Sequence, residues 1–129
     1  MPGSTEVKLP TFVLATREDH IVPWQSAYRS LELLGGEDKT FVLGASGHIA
    51  GVVNPAAKNR RSHWIGSIRP DSQEWLSTAE EKAGSWWPRW SEWLAQHGGG
   101  QRKAPSAPGN VQYRPIEAAP GRYVKHRIH

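Results

Sequence analysis

Cysteine is absent from this chain of 129 residues, and methionine occurs only once. The lack of cysteine excludes a disulfide framework, a zinc site with thiolate ligands and a thiol nucleophile within the chain. No apolar run approaches the roughly 18 residues that a membrane-spanning helix needs. The first six residues also lack the basic stretch and apolar core of a secretory signal. Together these absences predict a cytoplasmic protein.

The positive charge of the chain is concentrated at its C-terminal end. The formal net charge is +4. Residues 101–129 hold six basic residues and one acidic residue, a net +5, so residues 1–100 sum to −1. Four prolines in the same segment predict an extended, loosely ordered tail. A solubilising tail is the preferred interpretation over a segment that binds RNA or an acidic partner.

Residues 11–48 predict a strand, a helix and a second strand in succession. Thr11–Thr16 and Thr40–Leu43 are short apolar runs without alternation, which is typical of strands buried on both faces in a parallel sheet. Gly35 and Gly36 indicate the end of a helix between them. Five apolar or aromatic residues share one face of that helix: Trp24, Ala27, Tyr28, Leu31 and Leu34. The crossover makes the two strands parallel and predicts an α/β fold.

The rest of residues 1–100 predicts one more strand and a pair of helices. Ser62–Ile65 reads as an edge strand. Asp71 and Glu74 resemble a capping box that begins a helix, which we expect to continue to Ala83. Ser85 is expected to cap a second helix that ends in the glycine run at residues 98–100. Three tryptophans share one face of that helix: Trp86, Trp90 and Trp93.

Two polar residues follow the two predicted parallel strands, Asp19 after the first and His48 after the second. Parallel strands place their carboxyl ends on one edge of a sheet, where open α/β folds bind ligands. Neighbouring strands lie about 4.8 Å apart, so the two loops bring these side chains close together. A carboxylate beside one imidazole nitrogen fixes the tautomer, and the other nitrogen then accepts a proton from a thiol or hydroxyl. The competing interpretations are a helix cap for Asp19 and a simple turn at Gly47-His48.

The chain offers no suitable nucleophile for this pair. In α/β-hydrolase folds the chain order is nucleophile, acid, histidine, with the nucleophile on a G-x-(Ser or Cys)-x-G elbow. Nothing before Asp19 fits such an elbow, and Ser46 has the wrong spacing and lies in the loop of His48. A metal site built from His20, His48 and His63 lacks a tight ligand spacing. Two strands are too few for a doubly wound sheet, so the chain looks like the last part of a longer one.

Five runs of residues carry a resemblance to a known family: EDHIVPW at 18–24, FVLGASGHIAGVVNP at 41–55, KNRRSHW at 58–64, GSWWPRW at 84–90 and APGRYVK at 119–125. In this order they resemble the C-terminal region of class I polyhydroxyalkanoate synthases, also called poly(3-hydroxybutyrate) polymerases. The resemblance covers nearly the whole chain from about residue 9. It therefore identifies residues 1–100 as the C-terminal part of an α/β-hydrolase-type catalytic domain, followed by a basic tail at 101–129.

The resemblance implies a reaction and two site residues. The family polymerises (R)-3-hydroxyacyl-CoA to polyester and releases CoA, with 3-hydroxybutyryl-CoA as the expected substrate and a cysteine that carries the growing chain. By resemblance, His48 is the histidine that activates the cysteine. Asp19 is the aspartate that helps to deprotonate the 3-hydroxyl of the substrate or orients the histidine. The cysteine lies upstream in the family, so this chain alone is expected to be inactive. No cofactor is implied, because the CoA thioester is the substrate.

The resemblance also implies partners, namely a second copy in the intact enzyme and the surface of cytoplasmic polyester granules, with no nucleic acid. His20 is interpreted as a loop residue and the tryptophans as packing residues. Lys58, Arg60 and Arg61 suit CoA phosphates, although a solvated turn is preferred. Two alternatives stay open. One is a fragment of another α/β-hydrolase acyltransferase or esterase, and the other is a non-catalytic interaction module at a granule or dimer surface.

Overall fold

A computed structural model describes residues 7–127 and divides them into two compact units, one up to Gly99 and one from Gly100 onward. The first unit contains a four-stranded sheet with the strand order β1-β2-β3-β4. The strands are β1 (Thr11–Thr16), β2 (Lys39–Gly44), β3 (Ser62–Ile65) and β4 (Glu80–Ala83). β1 and β2 are parallel, whereas the other two pairs are antiparallel. The predicted parallel pairing of the first two strands is confirmed.

Three α-helices accompany the sheet within residues 7–127. They are α1 (Trp24–Arg29), which continues into a 3₁₀ turn at Ser30–Leu33, α2 (Ser72–Thr78) and α3 (Trp87–His97). α1 and its 3₁₀ turn form the crossover from β1 to β2. The register pairs the last residues of these strands, Thr16 and Gly44. The loops that follow the two strands therefore start side by side at one edge of the sheet.

The hydrophobic core lies between one face of the sheet and helices α1 and α2. Trp75 of α2 is fully buried and meets Phe41 of β2 edge to face, with ring centroids 4.9 Å apart. Phe12 points to the opposite face, because successive strand residues alternate, and its ring lies 5.7 Å from that of Trp93 on α3. The sheet is thus covered on both faces, which makes the unit an α/β structure in three layers.

The predicted helix from Asp71 to Ala83 is too long. Helix α2 ends at Thr78, because Ala79 is extended with ψ 141°, and Glu80–Ala83 instead form β4. Glu80, Glu81 and Lys82 are good helix formers. Their backbone groups instead pair with the edge of β3 that β2 leaves without hydrogen-bond partners. Ser62–Ile65 is a strand as predicted, yet it lies between β2 and β4 and is not an edge strand.

The helix boundaries agree in part with the capping signals. Asp71 Oδ1 accepts hydrogen bonds from the backbone N–H groups of Gln73 at 2.8 Å and Glu74 at 3.1 Å, which confirms it as the cap of α2. The Ser85 hydroxyl accepts a bond from the N–H of Trp87 at 3.1 Å. Helix α3 starts only at Trp87, so Trp86 lies before the helix. Gly98 ends α3 as predicted.

The second unit, described from residue 100 to 127, contains a single 3₁₀ turn at Tyr123–Lys125 among turns and bends. Nearly all of its described residues are exposed. Its Arg122 guanidinium pairs with the Glu117 carboxylate at 3.3 Å. Across residues 7–127, no helix is both long and apolar enough to cross a bilayer.

Candidate active site

Asp19 lies in the loop after β1, where the backbone of the same loop holds its carboxylate. Oδ1 accepts hydrogen bonds from the N–H groups of Ile21 at 2.8 Å and Val22 at 3.1 Å. The bonds from Val22 and Ile21 hold the pKa of Asp19 below its ordinary value of 3.8, and nearby His48 lowers it further. Asp19 is therefore a carboxylate at neutral pH. It does not cap α1, whose N-cap residue is Pro23 and which has no side-chain cap.

His48 lies in the loop after β2 and faces this carboxylate. Its Nδ1 atom is 3.7 Å from Asp19 Oδ1. Nδ1 is buried and has no hydrogen-bond partner among the described residues, although 37% of the His48 side chain is exposed. This distance exceeds that of an ordinary hydrogen bond by about 0.7 Å, so the two groups face each other without a hydrogen bond. A hydrogen on Nδ1 opposite a carboxylate leaves Nε2 free to accept a proton.

The two loops are joined by backbone hydrogen bonds that extend the pairing of β1 with β2. The Arg17 N–H donates to Gly44 O at 2.8 Å, and the Glu18 N–H donates to Ser46 O at 3.0 Å. Ser46 adopts the left-handed conformation with φ 74°, which turns the chain toward His48. These contacts place Asp19 and His48 on adjacent, connected loops, as the strand pattern predicts.

Gly51 allows the loop after His48 to fold back against both strand ends. A Cβ atom at this position would lie 2.6 Å from Ala45 O and 2.6 Å from Thr16 Cγ2, closer than such atoms approach in proteins. Glycine is therefore the residue that fits here. By contrast, a Cβ atom at Gly47 would meet only Glu18 O at an ordinary 3.6 Å.

Among the residues that the structure describes, His20 and His63 do not join this pair in a group that could hold a metal ion. His20 is exposed, and its ring centroid lies 5.3 Å from that of His48. His63 is buried in β3 and its Nδ1 is 3.1 Å from Gly84 O, to which it donates a hydrogen bond. Within residues 7–127, no three His, Cys, Asp or Glu side chains are grouped to hold a metal ion.

The remaining candidate residues are Ser46 and three basic residues. Within residues 7–127, none of them makes a hydrogen bond to the side chain of Asp19 or His48. In the part of the chain that the structure describes, the Ser46 hydroxyl has no hydrogen bond to His48. Lys58, Arg60 and Arg61 are exposed in a turn before β3, where Arg61 has φ 65°. The exposure agrees with the solvated turn preferred from the sequence, and contact with CoA phosphates stays an untested prediction.

Comparison with known proteins gives close relatives, although no family-level sequence profile matches the chain. The poly(3-hydroxyalkanoate) polymerase subunit PhaC of Cupriavidus necator is 58% identical over 120 residues, which cover 92% of this chain and 20% of that protein. The PhaC subunit of Rhizobium etli is 45% identical over 95% of this chain and 19% of its own length. Polymerase 1 of Ectopseudomonas oleovorans is 43% identical over 95% of this chain and 22% of its own length.

This chain is a homologue of the poly(3-hydroxyalkanoate) polymerases. The resemblance carried by the five sequence runs is thereby confirmed. The chain spans about one fifth of the length of these polymerases. The homology covers both loops of the Asp19–His48 pair, since at least nine tenths of the chain is aligned.

In this polymerase homologue, two tryptophans contact the loop that carries His48, and the sequence does not predict these contacts. The indole N–H of Trp86 donates to Gly51 O at 3.0 Å, and that of Trp87 donates to Val52 O at 3.0 Å. We expected Trp86 to pack on a helix face. The acceptors are backbone carbonyls 35 residues away, so no local pattern marks them.

Proposed function

We propose that this chain is the C-terminal part of a polyhydroxyalkanoate synthase and supplies the acid and the histidine of its active site. The observation that carries the proposal is the 3.7 Å approach of His48 Nδ1 to Asp19 Oδ1 at the carboxyl edge of two parallel strands. An α/β-hydrolase core is the proposed setting, and residues 1–100 are the proposed contribution to it. Homology to the polymerases supports this assignment.

The proposed chemistry uses His48 as a base and Asp19 as its partner. His48 Nε2 takes the proton from a cysteine thiol that lies elsewhere in the enzyme, and the thiolate attacks the acyl-CoA thioester. The CoA sulfur leaves with a proton returned from the imidazolium. His48 then removes the proton from a 3-hydroxyl, whose oxygen attacks the carbonyl carbon of the acyl-enzyme thioester. The C–S bond breaks, the cysteine sulfur leaves with the proton returned from the imidazolium, and the polyester is longer by one ester bond. Asp19 remains ionised and stabilises the imidazolium in both steps.

The proposed substrate is (R)-3-hydroxyacyl-CoA, with 3-hydroxybutyryl-CoA as the expected chain length. CoA is released as a product, so no separate cofactor takes part. The intact enzyme is proposed to act as a homodimer at the surface of cytoplasmic polyester granules. Each of these points is taken from the family resemblance and stays a proposal for this chain.

The chain by itself is proposed to be inactive toward the thioester. It contains no cysteine, and without this nucleophile no covalent acyl-enzyme can form. Loss of the nucleophile from an acyl-transfer site leaves only the small residual rate that binding and polar contacts provide. The two alternatives are less well supported. All the curated relatives given above are polymerases rather than esterases, and no described contact favours a separate interaction module.

A chimera tests this function. The matched 120 residues of the Cupriavidus necator polymerase would be replaced by the corresponding part of this chain, and CoA release from 3-hydroxybutyryl-CoA would be followed with a thiol reagent. We expect the chimera to release CoA and form polyester, whereas the purified 129-residue chain releases none above background. A folded, dimeric chimera without activity, or an active isolated chain, would overturn the proposal.

A further inference from the structure

The loop that carries His48 is held on its C-terminal side by a short segment that ends at Trp87, the first residue of α3. We call residues 84–87 the brace. Its two indole N–H groups donate to consecutive carbonyls of the loop, those of Gly51 and Val52, each at 3.0 Å. The Ser85 hydroxyl donates to Asn54 O, two residues farther along. Three consecutive brace residues therefore bind the segment directly after His48.

The brace is itself fixed to the rest of the sheet. The Gly84 N–H donates to Arg61 O at 2.6 Å, and Gly84 O accepts from His63 Nδ1 at 3.1 Å. The Ser85 N–H donates to Asn59 Oδ1 at 3.3 Å. Gly84 has φ +93°, and a Cβ atom there would lie 2.0 Å from Asn59 Oδ1, so only glycine fits. The brace is thus anchored to β3 and the turn before it.

His48 lies between two fixed ends of its loop. On the N-terminal side, β2 and the bond from the Glu18 N–H to Ser46 O hold the chain. On the C-terminal side, the brace holds Gly51 and Val52. Between these ends, the Gly51 N–H donates back to Gly47 O at 2.8 Å, which closes a turn around His48. The brace therefore holds the backbone of this loop on the side of His48 that β2 does not hold.

We propose that Trp86 and Trp87 are positioning residues, which hold the His48 loop through their indole N–H groups so that Nδ1 faces Asp19. The inference rests on the proposed function, since it assigns a task to residues around the same site. The Gly51 carbonyl lies in a buried contact and needs a donor, and a large rigid ring places its N–H with little loss of conformational freedom. Phenylalanine at either position keeps an aromatic ring and removes the indole N–H donor together with part of the ring.

The test compares Trp86→Phe and Trp87→Phe with Trp90→Phe in the full chain. Trp90 is a matched control, because it is 40% exposed and no hydrogen bond of its indole is found among residues 7–127. Ring ¹⁵N shifts of His48 at alkaline pH report the tautomer of the neutral imidazole, and amide hydrogen exchange at Gly51 and Val53 reports opening of the loop. We expect exchange at both amides to be about fivefold faster in each brace variant, as the loss of one hydrogen bond predicts. The fraction of His48 with hydrogen on Nδ1 should fall in parallel, and neither should change in Trp90→Phe.

Two outcomes would overturn the inference. Faster exchange with an unchanged His48 tautomer would mean that the indoles stabilise the loop without orienting the ring. Equal acceleration at the amide of Val42, which is fully buried in β2, would mean that they stabilise the whole fold. The Trp87 bond lies on the exposed side, so Trp87→Phe gives a folded variant even if Trp86→Phe does not. No thioester is used, so failure of the proposed polymerase function leaves this test intact.

Discussion

The Nδ1 atom of His48 faces the Oδ1 atom of Asp19 across 3.7 Å, between loops that leave two parallel strands at the same edge. Asp19 is held by its own loop, through two backbone N–H groups, whereas His48 is held from both ends of its loop. The acid is thus fixed locally and the histidine by tertiary contacts. Each predicted effect below follows from this difference or from the core beneath the site.

Stability should fall at acid pH partly because of Asp19. Its pKa is lower in the folded protein than the ordinary 3.8, so the carboxylate stabilises the fold above about that pH, and this contribution is lost as the pH falls through the folded-state pKa. Asp19→Asn keeps an oxygen that accepts the Val22 and Ile21 bonds but removes the charge. Urea unfolding between pH 2 and pH 6 should therefore show a shallower decrease for this variant.

The matched control for that titration is Glu37→Gln, which changes an exposed carboxyl before β2. We expect its pH profile to follow that of the unchanged chain. The stability of Asp19→Asn could instead decrease as steeply with falling pH as that of Glu37→Gln. The hydrogen bonds from Val22 and Ile21 would then stabilise the charged and the neutral carboxyl of Asp19 equally.

Gly51→Ala should destabilise the fold, whereas Gly47→Ala in the same loop should not. The added methyl at residue 51 would lie 2.6 Å from Ala45 O, while at residue 47 the nearest atom is 3.6 Å away. Overpacking of this kind costs about 1–3 kcal/mol. The free energies of unfolding of both variants in urea check this prediction. Equal values would mean that the loop moves freely away from the strand ends.

Trp75→Ala should be far more damaging than Trp90→Ala. Trp75 is fully buried, packs edge to face on Phe41 and donates its indole N–H to Gly66 O at 3.3 Å, whereas Trp90 is 40% exposed. Removing a buried tryptophan side chain costs about 3–5 kcal/mol. Denaturant midpoints of the two variants give the comparison. A loss for Trp90→Ala as large as that for Trp75→Ala would contradict the assignment of the core to the α1 and α2 face.

The sequence was sufficient for the parts of the fold that are set by local patterns. Two apolar runs around an amphipathic helix predict the parallel pair of strands. Because Asp19 and His48 follow those two runs, the pairing also predicts that their side chains lie close together. The sequence predicts a helix over residues 80–83 because helix propensity is a local property, while the hydrogen bonds that make these residues a strand come from β3. The contacts of Trp86 and Trp87 were missed for a similar reason. Their acceptors are backbone carbonyls, which carry no residue-specific signal.

The most direct test of the central claim is the rate of CoA release by the polymerase chimera with His48→Gln, compared with His97→Gln as a control. His97 lies at the end of α3, near Asp38 and outside the site. The account predicts that His48→Gln lowers the rate at least about 100-fold, as expected for loss of a general base, and that His97→Gln leaves it unchanged. Comparable rates in the two variants would contradict the assignment of His48 as the base of the reaction.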